Sequence, residues 1–159
     1  MLVGVAPKCC EFLSNKYKIP ISFINLIPLG ADTDVFYPNI KKRQKMRKNL
    51  NIKNEETLVI YTGKINTEKD PFLIIKALKE SKDIELIKFI FIGSISKNYM
   101  NNYKSLLNSD KIIIHPAVDN KELPNYYNAA DIACWPKHTS LSSLEASSCG
   151  LPVIISETV

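Results

Sequence analysis

From about residue 58 onward, short runs of continuous apolar residues alternate with segments of helical period. No other feature of the chain restricts its fold as much. Residues 58–62, 87–92, 112–114, 131–135 and 153–155 read as five strands, rich in β-branched and aromatic side chains. Between them, Phe72, Ile75 and Leu78 space out a helical face after Pro71. Residues 99–107 read as a second helix. Residues 122–129 form a third, with Leu123, Tyr126 and Tyr127 on one side. Residues 142–149 form a fourth, stopped by Gly150 and Pro152. A strand buried on both faces loses the apolar–polar alternation of a half-exposed one. The expected architecture is therefore an α/β parallel sheet with helices on both faces. Ligands of such sheets gather at the C-terminal ends of the strands, so the residues just past each strand are the candidates for function.

The upstream part is less regular. Residues 7–17 read as a short helix with Pro7 in its first turn, 19–27 as strand-like, 28–32 as a turn and 41–50 as a basic helix. With 159 residues, the chain holds one ordinary domain and a short attached segment. The expected division is residues 1–40, then 41–159. The last strand lies almost at the C-terminus, whereas a complete domain of this class adds another helix or two; truncation there is expected. No run approaches the roughly 18 apolar residues of a membrane span. The start lacks the basic region of a secretory signal, so a cytoplasmic location is expected. Cys9, Cys10, Cys134 and Cys149 contain no Cys-x-x-Cys, and neither His115 nor His138 sits at ligand spacing from them. Reduced thiols and no metal are expected.

The formal charge is +5, and six of the eight residues 41–48 are cationic. A solvated helix face is the ordinary reading of that patch. Peripheral contact with an anionic membrane is the functional one. Nucleic acid is not expected, because no aromatics interleave with the basic residues.

Gly63 follows the first strand of the regular region, and Lys64 and Lys69 follow it on the same loop before a helix start. A glycine there lets backbone approach a ligand, and two ammonium groups beside free helix N–H groups suit a diphosphate. No Gly-x-Gly-x-x-Gly or P-loop pattern occurs, which argues against dinucleotide oxidoreductases and P-loop enzymes. Gly93 closes the second strand. Ser140, Ser142 and Ser143 cluster at a helix start, where Ser140 or Ser142 is placed to cap it. Glu145 is expected in the first turn of that helix. It serves there either the helix dipole or the hydroxyls of a ribose. His115 and His138 follow strand ends and are candidate donors.

These segments, in this order, resemble the C-terminal domain of glycosyltransferase family 4, the retaining enzymes of GT-B fold. Residues 27–36, Ile-Pro-Leu-Gly-Ala-Asp-Thr-Asp-Val-Phe, resemble its interdomain segment. Tyr61-Thr62-Gly63-Lys64 with Lys69-Asp70 resembles its Val-Gly-Arg…Lys-Gly loop. Pro116-Ala117-Val118 with Leu123, Tyr127, Ala130 and Asp131 resembles its Gly-x-Val…Leu…Tyr…Ala-Asp stretch. Leu144-Glu145-Ala146 with Gly150-Leu151-Pro152-Val153-Ile154 resembles Leu-Glu-Ala-x-Ala-x-Gly-x-Pro-Val-Ile. The resemblance covers roughly residues 20–159.

The resemblance implies a Rossmann-like domain forming half of a GT-B fold. Such a domain binds a nucleoside diphosphate sugar and transfers the sugar to a glycan or lipid-linked acceptor held by a separate N-terminal domain. The isolated chain would then be inactive in transfer. Lys64 and Lys69 would be the phosphate-binding and catalytic cations, stabilising the departing diphosphate. Glu145 would hold the ribose, and Gly63, Gly93, His138, Thr139 and Ser140 would complete the substrate site. No cofactor or metal is implied.

This sequence departs from the pattern in places. Lys137, or Thr139 in a second alignment, stands where a glutamate is usual. Pro116 replaces a glycine, and Lys64 replaces an arginine with its rigid phosphate-gripping fork. The alternatives are a non-catalytic nucleotide-binding or interaction module of the same half-fold, and a nucleotide-sugar epimerase of GT-B type.

Overall fold

The computed structural model describes residues 1–79, 84–138 and 140–156. They fall into two compact units, Met1–Ala31 and Asp32–Val159.

In the smaller unit, β1 (Leu2–Gly4) and β2 (Ile24–Leu26) pair in parallel around the helix α1 (Pro7–Tyr17). Gly4 is required where it lies, since a Cβ there would come within 2.4 Å of the Cys10 sulfur. The strand-like stretch 19–27 is only partly strand. Residues Ile21–Phe23 form a 3-10 turn in which the Pro20 carbonyl accepts the Phe23 N–H. The sequence gives no sign of β1, because two apolar residues before a glycine carry no period.

The boundary between units falls after Ala31 rather than at residue 40. Phe36 explains the difference: it is buried, and its ring lies 6.1 Å from that of Tyr127. Asn39 then caps α2 (Ile40–Asn49), its side chain accepting the Lys42 N–H at 3.0 Å.

The larger unit is the expected Rossmann-like sheet. Its strands are β3 (Thr57–Thr62), β4 (Ile87–Ile92), β5 (Ile112–His115), β6 (Ile132–Trp135) and β7 (Val153–Ile155). All described pairings are parallel, in the order β5-β4-β3-β6-β7. The chain works outward from β3 to β5 and then returns to the other side of β3 with β6. That reversal leaves a crevice at the C-terminal ends of β3 and β6, the switch point where ligands of such sheets bind. Leu58, Ile60, Ile90, Phe91, Ala133 and Trp135 are almost fully enclosed between the helical layers.

The helices are α3 (Leu73–Lys79), α4 (Lys97–Asn101), α5 (Lys104–Leu107), α6 (Leu123–Ala129) and α7 (Leu141–Ser148). The helix expected over residues 99–107 is split. The backbone turns out of helix at Tyr103, with φ −119° and ψ 9°, so α4 and α5 are separate short pieces.

The basic segment is not simply a solvated face. Arg47 is buried, and both Arg43 and Arg47 pair with Asp131, at 2.6 and 3.0 Å. Lys41, Lys45 and Lys48 stay exposed, and Lys42 sits over the Tyr37 ring.

Candidate functional site

β3 delivers Thr62, Gly63 and Lys64 to the crevice, and the loop beyond continues to Asp70. Local bonds hold that loop in shape. The Tyr61 hydroxyl donates to the Lys64 carbonyl at 2.8 Å. Asn66 accepts twice, from the Lys69 N–H through its side chain and from the Asp70 N–H through its carbonyl. Across the crevice, the Trp135 indole N–H donates to the Thr62 carbonyl at 2.9 Å, tying the ends of β3 and β6 together. His138 and Ser140 follow on that side.

Lys64, Lys69, His138 and Ser140 line one cleft of about 290 Å³ with Gly63 and Ser142. Lys64 and His138 are exposed, whereas Lys69 is half-buried with Glu68 at 3.5 Å from its ammonium. A second cleft of about 280 Å³ shares Thr62, Gly63, Lys64 and Ser142 with the first, and adds Gly93 and Ser94. Thr139 lies outside the described residues.

Ser140 sits at the N-cap position of α7, yet its hydroxyl makes no capping bond. Its oxygen is buried and has no partner among the described residues. A buried orphan hydroxyl costs about 1–3 kcal/mol unless something else satisfies it. It stands at the start of α7, the positive end of the helix dipole, where the Ser143 N–H already donates to the Ser140 carbonyl at 3.0 Å. The cleft thus combines two lysines, a histidine, an unused hydroxyl and a helix N-terminus. Those donors suit an anion with several oxygens, and the Glu68 carboxylate lines the same cleft beside Lys69.

Gly93 has a structural duty as well. At φ +156°, a Cβ there would fall 1.7 Å from the Gly63 carbonyl oxygen. The two glycines let the ends of β3 and β4 pass in contact.

Glu145 is not in the first turn of its helix. α7 starts at Leu141, one residue earlier than the sequence suggests, so Glu145 lies a full turn inside. Its side chain is buried under the cleft, and it does not line either cavity. The Tyr127 hydroxyl approaches it at 3.5 Å and bonds to Thr62 Oγ1 at 2.7 Å, so a chain of polar groups runs from Glu145 to the cleft floor. Burial pushes the Glu145 carboxyl above its ordinary range, partly offset by bonds from Tyr127 and Asn120. Burial likewise pushes the Tyr127 phenol up.

Sequence reasoning missed Thr62 and Tyr127 as members of the site. Their hydroxyls meet only because α6 packs beneath the end of β3. His115 ends β5, its ring nitrogens engage the Pro116 carbonyl and the Tyr126 hydroxyl, and it lines neither cleft. A larger cavity of about 570 Å³, between residues 38–43 and 149–152, contains one cation, Arg43, already committed to Asp131. Among the described residues, no cluster of three His, Cys, Asp or Glu side chains is placed to hold a metal. No helix among them is long and apolar enough to cross a membrane.

Comparison with known proteins bears on this cleft. The family described as glycosyl transferases group 1 matches residues 42–159. A D-inositol 3-phosphate glycosyltransferase from Xylanimonas cellulosilytica is 26% identical, over 96% of this chain and 39% of that protein. A UDP-Gal:alpha-D-GlcNAc-diphosphoundecaprenol alpha-1,3-galactosyltransferase from Escherichia coli is 29% identical, over 84% of this chain and 36% of its own length. The chain therefore spans about two fifths of these relatives. Among solved structures, Anabaena HepE in complex with UDP and glucose superimposes with a TM-score of 0.79 at 15% identity. That match covers 99% of this chain and 44% of HepE, and the shared fold is half of a GT-B architecture.

Proposed function

The chain belongs to the glycosyl transferases of group 1, and from that premise we propose that its cleft binds the diphosphate of a nucleotide sugar. The observation that carries this reading is the meeting of Lys64, Lys69, His138 and a Ser140 hydroxyl without a partner among the described residues, in one cleft at a helix start. In the proposed reaction, of the retaining family 4 type, the bond between the anomeric carbon and the diphosphate breaks. Negative charge then grows on the leaving oxygen. Lys64 and Lys69 stabilise that charge by charge-assisted hydrogen bonds, and the N-terminus of α7 adds its dipole. No metal is needed in this scheme, because fixed cations do the neutralising.

Glu145 is proposed to act on the ribose, directly or through Tyr127 and Thr62. The acceptor, a glycan or lipid-linked sugar, is proposed to come from a facing domain, since one wall alone neither excludes water nor aligns the attacking hydroxyl. On this reading the isolated chain binds donor but does not transfer sugar.

The test is calorimetric titration with uridine diphosphate and with uridine monophosphate. The diphosphate should bind more tightly, and Lys64→Ala with Lys69→Ala should erase the difference. Equal affinity for the two nucleotides in the parent chain would overturn the assignment. Lys137 favours one second reading, a nucleotide-binding module without transfer activity. It stands near the cleft where the family resemblance expects a carboxylate, and its ammonium faces Asp70.

A further inference from the structure

Asp70 ends the loop that carries Lys64 and Lys69, and it adopts φ +39° without being glycine. A side chain in that region is strained and persists only where its surroundings hold it there. Here they do. Asp70 Oδ1 accepts the Tyr99 hydroxyl at 2.7 Å and the Tyr103 hydroxyl at 2.9 Å. Tyr99 is itself fixed, its ring stacked on Phe72 at 5.1 Å and its oxygen accepting the Phe72 N–H. Tyr103 meets the same Phe72 ring nearly edge-on, and its oxygen accepts from the Lys76 ammonium.

The second oxygen, Asp70 Oδ2, faces the Lys137 ammonium at 3.4 Å. Lys137 precedes His138 on the loop beyond β6, so this ion pair joins the two loops that carry the cleft's cations. Burial opposes ionisation of Asp70. The two phenol bonds and the Lys137 charge outweigh it and hold the carboxyl below its ordinary range. Lys137 does not itself line the cleft. Its charge is directed at the wall and not at the cavity.

We infer that Asp70 and Lys137 form a latch between the β3–α3 and β6–α7 loops, and that these two positioning residues set the spacing of the diphosphate groups. The consequence for ligand rests on the function proposed above; the latch itself does not. Tyr99 of α4, Tyr103 at the start of α5 and Lys137 share the hold on Asp70, so removing Lys137 leaves its loop held by the two phenols alone. Opening the latch frees both loops.

The test has a ligand-free arm and a ligand arm, both on the full chain. In hydrogen exchange, Lys137→Met should raise the rates of the Lys69 and Asp70 amides about twofold to fivefold, the range for a partly exposed pair. Lys137→Arg, which keeps the charge, should restore them. In titration with uridine diphosphate, Lys137→Met and Asp70→Asn should each weaken binding by a similar factor, and the double variant should lose no more than either. Unchanged amide exchange in Lys137→Met would overturn the latch. So would tighter nucleotide binding by Asp70→Asn, because a released Lys137 would then be acting on the ligand directly. If the parent chain bound no nucleotide, the proposed function would fall, and the exchange arm would still decide the latch.

Discussion

Replacing Asp131 by alanine tests what holds the basic helix to the sheet. Asp131 Oδ1 accepts from Arg43 at 2.6 Å, while Oδ2 accepts from Arg47 at 3.0 Å and from the Leu58 N–H at 2.8 Å. One carboxylate thus joins α2 to the starts of β3 and β6. Arg47 is 7% exposed, and its remaining bonds go to the carbonyls of Ala129, Lys53 and Glu56. After Asp131→Ala those carbonyls still occupy the guanidinium, but its charge is buried without a counter-charge. Removing one partner of a buried pair costs about 3–5 kcal/mol. Asp131 keeps 29% exposure, so water compensates part, and the lower end, about 3 kcal/mol, is expected. Arg43 is 32% exposed. Arg43→Ala should therefore cost only about 1 kcal/mol.

Urea unfolding followed by far-UV circular dichroism would measure both, with an unchanged slope confirming a comparable native state. The Asp131 carboxyl sits below its ordinary range: burial opposes that, and the Leu58 N–H and the two arginines outweigh it. A lowered carboxyl contributes stability above its unfolded value and loses it as pH falls through its folded one. The gap between parent and Asp131→Asn should therefore be full at neutral pH and close below about pH 4. An Asp131→Ala variant within about 0.5 kcal/mol of the parent, the usual range for a surface change, would refute this account.

Glu145→Gln should stabilise the chain at pH 7, because a buried carboxyl with a raised pKa costs stability above its unfolded value; the gain should vanish in acid, as read from melting curves at two pH values. The same variant should weaken uridine diphosphate binding more than that of its 2′-deoxy form; equal losses in titration would exclude the ribose role. Ser140→Ala should leave stability unchanged or improved, by up to about 1–3 kcal/mol, while weakening diphosphate binding by calorimetry. Gly93→Ala should cost at least about 1–3 kcal/mol in urea unfolding, since its Cβ would meet the Gly63 carbonyl.

The sheet was legible because burial on both faces removes polar residues from a strand and leaves an unbroken apolar run. β4 and β7 fall where that signal puts them, and β3, β5 and β6 differ by one residue at an end. The grouping of candidate residues was legible only in part, since Gly93 lines the neighbouring cavity and Glu145 lines neither. Strand ends point to function in this architecture, and Gly63, Lys64, Lys69, His138 and Ser140 do share one cavity. What stayed hidden depends on contacts distant in the chain. Nothing local says that Arg43 and Arg47 face inward, since the helix around them is cationic throughout. Asp70 meets Tyr99, Tyr103 and Lys137 only through the packing of α4, α5 and the β6–α7 loop around Phe72. The depth of Glu145 turned on a single residue at the start of α7, and helix ends are the least determined part of a sequence reading.

The distribution of satisfied and unsatisfied groups supports the functional assignment independently of family. At the N-terminal ends of the strands, Asp131, Arg43 and Arg47 are all bonded, and every partner is a carbonyl, an N–H or an opposite charge. At the C-terminal ends the chain holds what folding alone would discard. Ser140 keeps a buried hydroxyl without a partner among the described residues, Glu145 keeps a buried carboxyl with a raised pKa, and Asp70 holds a strained backbone. Alanine at 140 and glutamine at 145 would each relieve a local cost, whereas the strain at Asp70 is offset by its bonds to Tyr99, Tyr103 and Lys137. Strain and unmet polarity at one end of the sheet, with the Asp131, Arg43 and Arg47 cluster satisfied at the other, match a division between ligand binding and stability. Ser140 and Glu145 are therefore where substitutions should raise stability and lower affinity together, and Asp131 is where they should only lower stability.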